Sequence, residues 1–167
     1  KDEVNIIREK YNKTPAEVCK DAGLYDENKV IAAHCVYLND DDIIMVKNYD
    51  FSVVYNPQSN MKLASGVAPI VKMMENGINV ALGTDGASSN NNLNMIDEMK
   101  SASLLQKLTF NDATALSAYD TLKLVTVNAA KAIGMEDKLG KFKEGFLADI
   151  ILIDFNKPHL NPPTDIY

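Results

Sequence analysis

Tryptophan is missing from the 167 residues, arginine occurs once, at Arg8, and cysteine twice, at Cys19 and Cys35. Two cysteines without a C-x-x-C pair cannot build a disulfide framework, which points to a reducing cytoplasm. One arginine and scattered lysines leave no basic stripe to track phosphates. With 17 Lys and Arg against 23 Asp and Glu, the net charge is −6, which argues against a nucleic-acid partner. No run of 18 apolar residues and no charged leader with an apolar core is present, so no membrane span or signal peptide is expected. No G-x-G-x-x-G or G-x-x-x-x-G-K-[ST] loop occurs, which weakens a nucleotide-binding open sheet. The chain starts at Lys1 without Met and stops after a proline-rich stretch, 158–163, so both ends read as cut.

What is there is enough for one domain with a proper core. Residues 1–23 read as helical, with Val4, Ile7 and Tyr11 at helical spacing. Thr14-Pro15-Ala16-Glu17 looks like a cap that restarts the helix. Three units then repeat one pattern. Apolar strands over 30–37, 51–56 and 78–85 each end in polar groups, and helices over 40–48 and 67–75 lie between them. Asn76-Gly77 is a left-handed helix stop. Strand starts 21 to 27 residues apart suit consecutive βα units with parallel pairing. Either a (β/α) barrel or an open sheet places its site at the carboxyl ends of such strands. Further helices are expected over 93–107, with Met95, Met99 and Ala102 as core filler, and over 119–133, lined by Leu122, Val125, Ala129 and Ile133 and closed by Gly134. Residues 146–154 read as a strand entered through a hairpin at 140–145.

The strand ends carry the chemistry. Asn79-Val80-Ala81-Leu82-Gly83-Thr84-Asp85-Gly86 delivers one carboxylate from an apolar run, which costs free energy unless the group is paired, hydrogen-bonded or metal-bound. An ordinary Asp-Gly turn is the competing reading. Period-two alternation places His34 on the face of Ala32 and turns Cys35 toward the helices as a packing residue; it also groups Asp85 with Gly83 and Ala81. His34 reads as either a hydrogen-bonded core residue or part of a site. Together His34 and Asp85 could hold a divalent metal or form an acid–base pair, yet a catalytic zinc needs about three protein ligands. His159 reads as a surface or packing residue, and Asn90-Asn91-Asn92 as solvated turn and capping residues.

Three segments carry a resemblance: Ile31-Ala32-Ala33-His34-Cys35-Val36, Tyr55-Asn56-Pro57-Gln58-Ser59-Asn60-Met61-Lys62-Leu63-Ala64-Ser65-Gly66 and Leu82-Gly83-Thr84-Asp85-Gly86-Ala87-Ser88-Ser89-Asn90. In order and spacing the chain resembles the amidohydrolase superfamily, within it the 5-methylthioadenosine/S-adenosylhomocysteine deaminases and related chlorohydrolases. The Gly-x-x-x-x-Gly-x-x-Ala-Asp pattern from Gly140 is similar to the small β-sandwich that flanks those barrels. The resemblance implies an α/β fold, the second half of a (β/α)8 TIM-like barrel over 1–135, with the start of a flanking β-element over 136–167. It implies a metal-dependent aminohydrolase that deaminates an adenosine-type nucleoside with one divalent metal, usually zinc. Asp85 matches the eighth-strand aspartate that ligates the metal, contacts substrate and takes a proton from the attacking water. His34 matches the sixth-strand histidine that stabilises the attack.

Two departures qualify the match. Tyr55 stands where many relatives have histidine, and the family's remaining metal-ligating histidines and substrate-contacting glutamate would precede Lys1. The isolated chain is therefore expected to be inactive. Its open half-barrel edge is expected to favour self-association. A guanine- or triazine-type amino- or chlorohydrolase, and a noncatalytic fragment, are the alternative readings.

Overall fold

A computed structural model describes residues 2–157; His159 and the proline-rich stretch lie outside the described residues. The chain opens with helices α1 (Asp2–Tyr11) and α2 (Pro15–Asp21). Asp2 and Glu3 in the first turn of α1, with Arg8 and Lys10 in the last, complement its dipole. Thr14 caps α2 through a reciprocal capping box with Glu17. Then come β1 (Val30–Ala33), α3 (Asp40–Val46), β2 (Phe51–Tyr55), α4 (Pro57–Lys62), α5 (Ile70–Glu75) and β3 (Asn79–Leu82). Asn39 and Asp42 form the capping box of α3. The chain continues through α6 (Ala87–Asn90), α7 (Met95–Phe110), α8 (Ala118–Val125) and α9 (Val127–Ala132).

The strands form one parallel sheet in the order β1-β2-β3, with Ala32 opposite Val53 and Val53 opposite Val80. One face turns Val30, Ala32, Phe51, Val53, Tyr55, Val80 and Leu82 into the core, against Ile43, Val46, Ile70, Met73, Ala102 and Leu124 from the helices. The other face is covered toward the start of β3. There Asn79 Nδ2 donates to Ser52 Oγ (3.0 Å) and to the Asn128 carbonyl (3.0 Å), and Asn128 Nδ2 donates to the Val80 carbonyl (2.9 Å). On β1 this second face is open, and Ile31 remains 49% exposed. Gly83, just past β3, has to be glycine. A Cβ there would sit 2.6 Å from Asn56 Oδ1 and 2.7 Å from Val54 Cγ1, inside any tolerable contact.

Several expectations need correction. The strands stop earlier than their apolar runs, because His34, Cys35 and Asp85 turn left-handed at φ 66°, 50° and 61°. The helix expected over 119–133 breaks at Thr126 (φ −121°, ψ −96°). The break resets the buried face to Thr121, Leu124, Ala130 and Ala132, leaving Leu122 and Ile133 exposed. No strand forms over 146–154, where Ile151 and Leu152 are 77% and 97% exposed. A strand needs a continuous ladder to a neighbour, and among the described residues this segment has only isolated backbone bonds, from the Leu147 N–H to the Lys138 carbonyl (2.9 Å) and from the Phe146 N–H to the Lys143 carbonyl (3.1 Å). Helix α4 was not expected, because Pro57-Gln-Ser-Asn-Met-Lys lacks an apolar period.

Candidate active site at the carboxyl ends of the strands

His34 follows β1, Asn56 and α4 follow β2, and Asp85 follows β3, so parallel pairing collects them at one end of the sheet. His34 Nε2 lies 3.7 Å from Asp85 Oδ2. His34 does not keep the alternation of its strand. Ala32 packs into the core, whereas the left-handed turn at His34 swings the imidazole toward Asp85. Non-glycine residues at positive φ persist only where the surroundings over-determine them, and such residues cluster at functional sites.

The surroundings here are specific. Ser59 Oγ donates to Asp85 Oδ2 at 2.6 Å, and the Gly86 N–H donates to Oδ1 at 2.7 Å. Hydrogen bonds from Ser59, Gly86 and Ser89, with a smaller pull from His34, hold the Asp85 carboxyl down at about 2. The group is therefore an anion at neutral pH and a weak base. His34 Nδ1 meets Asn60 Oδ1 at 2.8 Å. With the amide oxygen assigned to the ring side, Nδ1 carries the proton, and a neutral ring turns the Nε2 lone pair toward Asp85. His34 and Asp85 both line a cavity of about 390 Å³, whose walls include Val36, Leu38, Leu63 and Ser65. That size suits a small organic ligand.

An ionised carboxylate oxygen and an imidazole nitrogen this close fit one side of a divalent-metal site. They do not complete it: among the described residues no group of three or more His, Cys, Asp or Glu could hold a metal. Tyr55 takes no part. It is wholly buried, its hydroxyl accepts from Gln106 Nε2 at 3.2 Å, and burial pushes the phenol up to about 12. Cys35 packs beside the core with its thiol also pushed up to about 12 by burial, in line with a packing role. Cys19 and Cys35 are both free thiols.

Sequence reasoning missed Ser59, Asn60 and Glu98 and misjudged Asn90. Asn92 and Asn94 do serve turn and cap geometry, because Asn92 Oδ1 accepts the Asn94 N–H and Asn94 Oδ1 accepts the Ile96 N–H. Asn90, however, is buried, and its Nδ2 donates to the Thr84 carbonyl (2.7 Å) and to Glu98 Oε1. Serines precede it and asparagines follow it, so no local signal set it apart.

The amidohydrolase family model matches residues 1–166. A 5-methylthioadenosine/S-adenosylhomocysteine deaminase from Clostridium tetani is 58% identical over 166 residues, covering 99% of this chain and 38% of that protein. The crystal structure of an adenosine deaminase from Xanthomonas campestris with bound zinc superposes with a TM-score of 0.92 at 36% identity, over 97% of this chain and 37% of that one. Atrazine chlorohydrolase from Arthrobacter aurescens complexed with zinc gives a TM-score of 0.80 at 25% identity, over 87% and 32%. The chain thus spans about 38% of the length of the curated relative it matches. Among the described residues no helix is long and apolar enough to cross a membrane.

Proposed function

The chain belongs to the amidohydrolase family, and from that premise we propose that it is the C-terminal half of a (β/α)8 barrel whose full-length protein deaminates an adenosine-type nucleoside. The observation that carries the reading is the Asp85–His34 pair, 3.7 Å apart where parallel strands end, in a chain this similar to a deaminase of that name. Residues 1–135 would be the barrel half, and 136–167, whose described part forms no strand here, would start a flanking β-element in the full-length protein.

Asp85 would hold a zinc ion, with the remaining ligands contributed by residues outside this chain. When bound, zinc supplies Lewis acidity that brings the pKa of a water to about 7. The chain's own residues do the rest. His34, its Nδ1 tied to Asn60, lies beside the attacking water and stabilises the attack. Asp85 relays one water proton to the departing amine. The C–O bond forms first, making the carbon tetrahedral; the C–N bond then breaks and the amine leaves as ammonia with the relayed proton, while the second water proton stays with the product. With no set of three ligands brought together among the described residues, the 167-residue chain alone is inactive in this reading. Its open β1 edge favours self-association.

The higher structural similarity to the adenosine deaminase than to the chlorohydrolase supports adenosine-type substrates ahead of triazines in this reading. The test is ammonia release by the zinc-loaded full-length protein, offered 5-methylthioadenosine, S-adenosylhomocysteine, adenosine, guanine and atrazine. Turnover of an adenosine-type substrate is expected. Turnover of guanine or atrazine alone, or of nothing, would refute the assignment.

A further inference from the structure

Glu98, on α7, is 1% exposed, with no cation among its hydrogen-bond partners and no direct contact with His34 or Asp85. Burial pushes its carboxyl above the ordinary glutamate range, so the fold bears a cost in keeping a charge there. The carboxylate's two oxygens face the two segments that frame Asp85. Oε1 accepts from Asn90 Nδ2, and that same Nδ2 donates to the Thr84 carbonyl at 2.7 Å. Oε2 accepts the Gln58 N–H at 3.3 Å, and Gln58 precedes Ser59, the donor to Asp85 Oδ2. Gln58 Nε2 adds a second tie to α7 at Ser101 Oγ (3.0 Å).

The Thr84 carbonyl belongs to the peptide unit that ends in the Asp85 nitrogen. Fixing that carbonyl fixes the plane about which φ of Asp85 is measured, and φ is +61°, a strained value for a residue with a Cβ. We propose that Glu98 is a positioning residue. Its carboxylate ties the peptide that carries Asp85 to the helix that carries Ser59, and so aims the Asp85 carboxylate at the metal. The proposal rests on Asp85 being the ligand assigned above. A glutamine at this position has the same shape and one acceptor instead of two, so one tie must break.

The test compares E98Q with Q106L in the full-length protein. Gln106 is an equally buried residue of the same helix, whose Nε2 serves Tyr55 and the Ala68 carbonyl and does not reach the Asp85 segments. E98Q is expected to lose roughly ten- to a hundred-fold in zinc affinity in chelator competition, the range typical of outer hydrogen-bond partners of metal ligands. Its kcat should fall in parallel while KM moves little. Q106L, even with an equal or larger drop in Tm, should keep wild-type zinc affinity. In metal-free crystals of E98Q, Asp85 should leave positive φ or lose the Ser59 bond. Unchanged Asp85 geometry together with wild-type zinc affinity would overturn the proposal, as would equal zinc losses in the two variants. Should E98Q not fold, N90A cuts the Thr84 tie alone, and unaltered Asp85 geometry there would overturn it as well. A wild-type protein that takes up no zinc would sink the functional reading instead, and the metal-free crystals would still judge the brace.

Discussion

The core face of the sheet and the carboxyl ends of its strands are built from the same three strands by different forces. On the core face, Val53, Tyr55 and Val80 are fully buried among Ile43, Ile70 and Met73, and non-directional burial of apolar area holds them. At the carboxyl ends, His34 and Asp85 sit at positive φ, partly open to solvent, and each is fixed by directed hydrogen bonds. The core face supplies stability and tolerates swaps of similar volume. The strand ends spend stability on geometry and tolerate little.

That contrast can be broken at either side. The largest expected effect is on chemistry. Asp85→Asn in the full-length protein should cost at least about 10²–10⁴-fold in kcat, the range for a lost proton-transfer group, and should weaken zinc uptake. Its Tm should stay near wild type, because the residue lies outside the core. A large loss of Tm with activity per folded molecule retained would invert the comparison. Next in size, Met73→Ala on the core face should cost about 2–5 kcal/mol in chemical denaturation and leave kcat of the folded fraction unchanged. Gly83→Ala joins the two regions. Its Cβ would collide with Asn56 and Val54, so a cost of about 1–3 kcal/mol is expected, together with a measurable drop in kcat as the Asp85 turn shifts.

The smallest effect concerns Glu98, where the two regions meet. Its folded carboxyl sits above the value of about 4.3 that it has in an unfolded chain. Any stability linked to that shift is fully present below the unfolded value and is lost as pH rises through the folded one. The wild-type advantage over E98Q in unfolding free energy should therefore shrink from about pH 4 toward neutrality. Denaturation curves across that window decide it, and an advantage that grows with pH would contradict the assigned direction.

The two regions were not equally legible in the sequence. Strands β1, β2 and β3 announce themselves as apolar runs, and α2 by its capping residues, because those signals are local. His34 and Asp85 could be picked out as polar groups closing apolar runs. Their facing could not, since period-two alternation assumes extended backbone and both turn left-handed. The residues that hold them were invisible because they lie far off in sequence: Ser59 is 26 residues from Asp85, Asn60 is 26 from His34, and Gln58 is 40 from Glu98. The segment 146–154 erred the other way. Ile150-Ile151-Leu152-Ile153 has strand composition, but pairing needs a neighbour that no local pattern supplies.

The most direct test of the central claim is the position of zinc, located by anomalous scattering in crystals of the full-length protein. The account predicts a peak with an Asp85 carboxylate oxygen in its first coordination sphere, at about 2.0–2.2 Å, and the His34 ring beside it. A fully occupied zinc whose ligands exclude Asp85 would contradict it.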